Sequence, residues 1–221
     1  MKKAHAKTNK PVARDPIRTR EALLSAAFAE IRRSGFRGAD VDTILRAAGV
    51  TKGALYHHFE NKEALGHAVV DEVVADIMRQ KWQVPLRDAE NPINALVGVL
   101  KGTSLGKDDI ECGCPLNNIA QEMSPLDEGF RQRTAKLFRE WQGVIAKALR
   151  EGKERGVVDK RVDPDRSSTF LIAAYEGYIS LAKNSQNVAD LKAGVGAMVH
   201  YLDTLRVQPS DRLQARRTAI R

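Results

Sequence analysis

The stretch GFRGADVDTILRAAGVTKGALYHHFENKEAL, residues 35–65, constrains the chain more than any other. Asp40 stands where a carboxylate can accept from the free N–H groups of a helix start. Val41, Ile44, Leu45 and Ala48 follow at helical spacing and make one face apolar. Gly49 is predicted to end that helix, because a residue without Cβ tolerates a left-handed turn. Thr51 is predicted to cap a second short helix, buried through Leu55 and Phe59, and Asn61 to cap a third. Two short helices joined by a Gly-containing turn of about three to four residues form a helix-turn-helix.

The residues opposite the apolar ones indicate a use for this unit. Thr51, Lys52, Gly53, Tyr56 and His57 are small, polar or basic, and lie on or near the first turns of the second helix. In a helix-turn-helix that helix enters the major groove and its N-terminal residues meet base edges. Lys52 can donate to a guanine edge. Tyr56, His57 and Lys62 suit phosphate contacts, which fix register rather than sequence. On spacing alone, an ordinary helical hairpin with a solvated face competes with this reading.

The run GVTKGALYHHFENKEAL, preceded by ILRAA, resembles the DNA-binding domain of the tetracycline-repressor (TetR) family of bacterial regulators. Ala47, Gly49, Val50, Gly53, Leu55, Tyr56, Phe59, Lys62 and Leu65 carry the likeness, which extends from about Thr19 to Val70. It implies that Thr51, Lys52, Gly53, Tyr56, His57 and Lys62 touch DNA. One departure concerns the start of the first short helix. The family usually has Ser or Thr there, facing phosphate; this chain has Asp40 and Asp42, with Thr43 behind them. An acid suits the positive end of a helix but repels phosphate. Arg37, just upstream, is placed to compensate, so Arg37 and Thr43 join the candidate DNA contacts.

Charge is concentrated at the ends of the sequence. The net charge is +8, yet residues 1–20 carry seven Lys/Arg against one acid and residues 206–221 carry five Arg against one Asp. A basic arm beside a DNA-reading helix reads as phosphate or minor-groove contact; a merely solubilising tail is the alternative. Residues 1–14 and 207–221 are expected to be disordered. No apolar run approaches the length of a membrane span, and the basic start lacks the apolar segment of a signal peptide. These features predict a cytoplasmic protein without membrane contact. Two cysteines are too few for a disulfide framework.

Along the chain, Asp15-Pro16 is a helix start, with Pro where its missing N–H does no harm. Ile17, Leu24, Ala27, Phe28 and Ile31 form that helix's face, and Ser34-Gly35 is predicted to end it. The helix after Asn61 runs through Leu65, Val69, Val73 and Ile77 until Pro85. Asn91-Pro92 opens the next, residues 106–113 read as polar and irregular, and Pro115 restarts a helix. Ser124-Pro125 is predicted to begin a long one carrying Phe130, Leu137, Trp141, Ile145 and Leu149. Asp163-Pro164 begins a helix apolar almost all round, which needs cover on two sides. A last helix holds Leu191, Met198, Leu202 and Leu205. No convincing strand is visible, so the prediction is an all-α fold of about nine helices. Its segments are a 1–14 arm, a 15–62 helix-turn-helix domain, a 63–206 effector-binding and dimerisation domain, and a 207–221 tail.

A helix-turn-helix protein usually binds a two-fold operator as a dimer. The last two helices, about residues 164–205, are the candidate surface, since Ala173, Gly177, Gly194, Gly196 and Ala197 allow close approach. The resemblance implies a four-helix bundle between subunits, built from these helices. A monomer with both helices in its core is the alternative.

The odd element is Glu111-Cys112-Gly113-Cys114-Pro115-Leu116-Asn117-Asn118. Two thiolates without further ligands make a poor zinc site, and no other cofactor is called for. A thiol enzyme needs an electropositive setting, whereas Asp108, Asp109 and Glu111 make this one acidic. Cys112 and Cys114 could instead sense oxidants or electrophiles and shift the following helix; the plainer reading makes Cys114 a small buried residue beside a pocket. GCPLNNIAQEMSPLDEGFR also resembles the effector domain of one TetR subgroup, in which a Gly-Cys and a helix with Asn border the ligand pocket. Candidate pocket residues are Cys114, Asn118, Trp141, Tyr175 and Tyr178, and the absence of an evident counter-ion favours a neutral or reactive apolar small-molecule effector. No catalytic constellation is visible. The expectation is a ligand-responsive repressor acting as a homodimer on double-stranded operator DNA, with a thiol enzyme and a non-specific DNA-packaging protein as rivals.

Overall fold

The computed structural model describes residues 15–102 and 107–207, leaving side chains of 107–109 aside. The basic arm (1–14) and nearly all of the C-terminal tail lie outside the described residues. Among those described, the chain is helical, and its one β contact is an isolated antiparallel bridge between Val158 and Arg206.

Three helices make a compact N-terminal head. Helix α1 (Pro16–Gly38) begins on Asp15, whose side chain accepts from Ile17 N at 3.0 Å. It breaks at Gly35, whose φ of +74° no L side chain adopts readily, and Phe36 to Gly38 form a final separate turn. Helix α2 (Val41–Ala48) is capped by Asp40, accepting from Thr43 N at 2.8 Å, and ends on left-handed Gly49. Helix α3 (Lys52–His58) is capped by Thr51. Leu23, Ala27, Ile44, Leu55 and Phe59 close the core between them.

A rod, α4 (residues 62–86), starts on the Asn61 cap and leaves the head. It contains two wider-wound π-type stretches, Val69–Val74 and Arg79–Gln83. Pro85 does not stop it at once: the proline sits in the last turn, Val84–Leu86, and the helix ends after Leu86. Arg20 ties α1 to the rod through two bonds to Glu72, at 2.5 and 2.6 Å, holding the Glu72 carboxyl below its usual range.

The remaining helices pack around the far part of the rod: α5 (Pro92–Gly102), α6 (Lys107–Cys112), α7 (Pro115–Met123), α8 (Glu128–Glu154), α9 (Pro164–Ser185) and α10 (Val188–Thr204). Two expectations need correction. Residues 106–113 read as irregular, yet Lys107–Cys112 is a short helix. The long helix starts at Glu128 rather than at Ser124-Pro125, because Asp127 is the working cap and accepts from Phe130 N at 2.8 Å. Helix α9 does start at Asp163-Pro164, where Asp163 accepts from two backbone N–H groups. No described helix is long and apolar enough to cross a membrane.

Head and body interlock at one joint. Phe36, from the last turn of α1, packs at a tilt against Phe130 with ring centroids 4.5 Å apart, and His67 meets Phe130 edge-on at the same distance. Gly66 lies beneath both phenylalanines, and a Cβ there would stand 2.4 Å from Phe36 and 2.7 Å from Phe130. At the edge of the joint the Glu122 carboxylate, near the end of α7, accepts from Phe36 N at 2.7 Å and Arg37 N at 2.9 Å.

Candidate DNA-binding and effector sites

The head presents the predicted DNA-facing residues together. Thr51, Lys52, Gly53, Tyr56 and His57 are all exposed along the start and outer side of α3, and the large ring of Tyr56 stands half in solvent. Leu55 and Phe59, on the opposite side of α3, are buried. The face therefore owes its orientation to a core that is fully packed behind it. Its first turn carries no acid, so the N–H groups and the dipole there favour a phosphate.

Other candidates are partly engaged within the protein. The Thr43 hydroxyl donates to Asp40 at 2.7 Å and accepts from Arg46 at 2.8 Å. These bonds hold the Asp40 carboxyl below its usual range and satisfy the acid at the helix start. Lys62 donates to the Arg37 carbonyl at 3.2 Å and lies over the Phe36 ring. The Arg37 side chain is exposed, while its backbone N–H is held by Glu122.

In the body, four aromatic residues converge. Trp82 of the rod, Trp141 of α8 and Tyr175 of α9 form a triangle with centroids 4.7, 5.0 and 5.7 Å apart, and Phe138 stacks on Trp141. Small hollows lie on either side of Trp82 and Trp141. One is lined by apolar residues including Leu96, Leu171 and Met198, and the other opens toward Met78, Arg79 and Glu140. Lys81 donates to the Tyr175 hydroxyl at 2.5 Å.

The Cys114 end of α7 meets α9 at Glu176, the residue after Tyr175. Cys114 is buried, and burial together with neighbouring Glu176 pushes its thiol well above the usual range. Such a thiol is poorly nucleophilic. Cys112 is half-buried. Asn118 is occupied on both sides: its Nδ2 donates to the Cys112 carbonyl at 2.5 Å and its Oδ1 accepts from Lys183 at 3.1 Å. Tyr178 stands apart from the triangle. It packs on Gly194 of α10 so closely that a Cβ there would meet its ring at 2.2 Å.

Sequence reasoning missed two residues here and found no counter-ion. Glu176 is buried with neither carboxylate oxygen hydrogen-bonded, and Glu122 spans head and body. Each is an isolated acid in a helix whose periodicity shows only one turn's neighbours, with Asp165 the one other acid of α9 and far along it; their surroundings come from distant segments. The Glu176 signal was an acid inside the near-continuous apolar run of α9.

The last two helices leave an unusual surface. Phe170 and Leu181 of α9 are half exposed or more, and Ala173, Gly177, Gly196 and Ala197 lie open beside them. Exposed apolar residues flanked by small ones are the mark of a helix-on-helix contact surface.

Comparison with known proteins agrees with this geometry. Residues 23–69 match the model of bacterial regulatory proteins of the tetR family, and residues 92–198 match the tetracyclin repressor-like C-terminal domain. The chain is 31% identical over 183 residues to the HTH-type transcriptional repressor DhaR of Mycobacterium sp. strain GP1, covering 80% of this chain and 87% of that one. It is 28% identical to the transcriptional regulator AcuR of Cereibacter sphaeroides, over 77% of this chain and 79% of the other. The crystal structure of a TetR transcriptional regulator from Chloroflexus aurantiacus superposes with a TM-score of 0.78 at 28% identity, covering 87% of this chain and 98% of that one. With both of its parts matched, the chain belongs to the TetR family and is a ligand-responsive, DNA-binding transcriptional repressor.

Proposed function

We propose that two copies of this chain pair through α9 and α10 and set two heads on a palindromic operator in the cytoplasm. The exposed first turns of α3 support this reading most directly. Thr51, Lys52, Gly53, Tyr56 and His57 read the major groove and its phosphates, with Arg37, Thr43 and Lys62 at the margins. Residues 15–62 serve as the DNA-binding domain and 63–206 as the effector and dimerisation domain. The Gly-Cys-Pro-Leu-Asn-Asn run, residues 113–118, supports a kinship with the subgroup in which such a motif borders the pocket.

The route from effector to DNA follows α7. Its N-terminal end carries Cys114 and the Asn118–Lys183 bond to α9, and its C-terminal end carries Glu122 on the head. An effector that binds better when α7 is displaced favours head positions that do not fit the operator. Cys114, Trp141 and Tyr175 border the effector region; Asn118 acts through its internal bonds and Tyr178 through the α9–α10 contact. Of the two thiols, half-buried Cys112 is the reachable one for electrophiles.

A footprint of the full chain on DNA upstream of its own gene tests the reading. A protected palindrome is expected. Lys52→Ala should weaken operator binding by about tenfold, in line with about 1–3 kcal/mol for a good base contact, and Tyr56→Ala should weaken binding to operator and to other DNA alike, as loss of a phosphate contact does, with helicity unchanged in both. Unaltered affinity in both variants would remove α3 from the interface. Leu181→Arg should give a monomer by sedimentation and lose the footprint; a dimer with full protection would place the subunit contact elsewhere.

A further inference from the structure

Glu176 lies on α9 and is only 7% exposed, and neither carboxylate oxygen has a hydrogen-bond partner. A buried carboxylate without a partner is costly, so such groups are paired or protonated. The groups acting on it come from two other segments: the Cys114 thiol ahead of α7 and the Lys81 ammonium of the rod, which also reaches Tyr175, the residue before Glu176. The thiol is a weak donor, and Lys81 gives a hydrogen to the Tyr175 hydroxyl. Beside these groups stands Trp141, whose buried indole N–H also lacks an acceptor. Flat aromatic surface from Trp82, Trp141 and Tyr175 thus lies next to a buried carboxylate whose neighbouring cation, Lys81, donates to Tyr175 instead.

We propose that the effector of this repressor is an organic amine with a flat apolar body, its ammonium bound by Glu176 and its body laid against the Trp82–Trp141–Tyr175 cluster. The inference rests on the reading of residues 63–206 as the effector domain. An ammonium donates up to three hydrogen bonds, enough for both carboxylate oxygens. Aromatic faces attract the cation as well as the apolar body. Bound there, the ligand adjoins Cys114, the residue before α7, and so acts at one end of the helix whose other end holds the head. Burial raises the Glu176 carboxyl to about 7, so the amine competes with a proton near neutral pH.

The chain's two tryptophans are both in this cluster, so their emission reports the site. The test titrates the full-length protein with phenethylamine, phenethyl alcohol and 3-phenylpropionate, reading tryptophan emission, and measures binding to the upstream DNA in parallel. Phenethylamine should give a saturable change at pH 8, bind about tenfold more weakly at pH 6 as Glu176 takes up its proton, and bind at least tenfold more weakly than at pH 8 to Glu176→Gln, with the pH dependence gone. Glu176→Gln should keep wild-type helicity by circular dichroism and a cooperative urea transition, which shows that the variant is folded. Equal affinity of the three probes, amine binding unaffected by Glu176→Gln, or no emission change with operator binding intact would each overturn the amine assignment while leaving the repressor reading. Loss of all operator preference in the wild-type protein would overturn the reading beneath it.

Discussion

A Phe130→Ala protein is expected to lose about 3–5 kcal/mol of stability, the range for deleting a fully buried phenylalanine. Phe130 is 0% exposed and contacts Phe36 from the head and His67 from the rod. Its removal leaves a void where three segments meet, and none can close it without moving the head. Urea unfolding should show a lower midpoint with little change in slope. The companion variant is Glu122→Ala. It leaves two backbone N–H groups at the joint without their carboxylate, costing about 1–3 kcal/mol. Its main effect should fall on DNA. A two-headed protein reads half-sites at a fixed spacing, so loosened heads should bind the operator about tenfold more weakly, while binding to one half-site changes little. Glu122→Gln should fall between, because a carboxamide accepts through one oxygen only.

Glu176→Gln should make the protein more stable in alkaline solution, and the gain should depend on pH. The Glu176 carboxyl titrates at about 7 in the folded protein against 4.5 when exposed, chiefly because burial penalises its charge. Between those values the folded chain keeps a proton that the unfolded chain releases. The group's contribution to stability is therefore highest below pH 4.5, declines as the pH rises to about 7, and stays low above it. From pH 5 to pH 8 this amounts to roughly 2–3 kcal/mol, since each tenfold difference in proton affinity between the folded and unfolded chain is worth about 1.4 kcal/mol. Wild type should lose that amount over the interval relative to Glu176→Gln, measured by urea unfolding at both pH values. Parallel curves would mean that Glu176 is not buried in solution.

Local signals carried most of the architecture. Asp15-Pro16, Asp40, Thr51, Asn61 and Asp163 each cap the helix that follows them, as their residue types predict, because a cap is decided by a few adjacent residues. The α3 face was legible for the same reason: Leu55 and Phe59 point one way, so Lys52 and Tyr56 point the other. Competition between neighbouring signals misled at Ser124-Pro125, where Asp127 wins as the cap three residues on. The short helix Lys107–Cys112 has too few residues for a period to show. The candidate effector region was least legible. Trp141 and Tyr175 meet, but Tyr178, one turn after Tyr175, is drawn to Gly194 on another helix. Glu176 and Glu122 gain their character from segments about 60 to 90 residues away, a separation at which no spacing rule operates.

The bridge between Val158 and Arg206 has a consequence for assembly. Asp159 N donates to the Leu205 carbonyl at 2.9 Å, so the segment after α10 is stitched to the loop before α9. The turn between Ser185 and Val188 joins the two helices at their other end. The hairpin is thus clasped at both ends within one subunit and cannot splay. Paired as proposed, two such hairpins would meet as finished surfaces, with little backbone freedom left to surrender. Subunit pairing should then follow folding as a separate collision, second-order in protein concentration, rather than being part of folding itself.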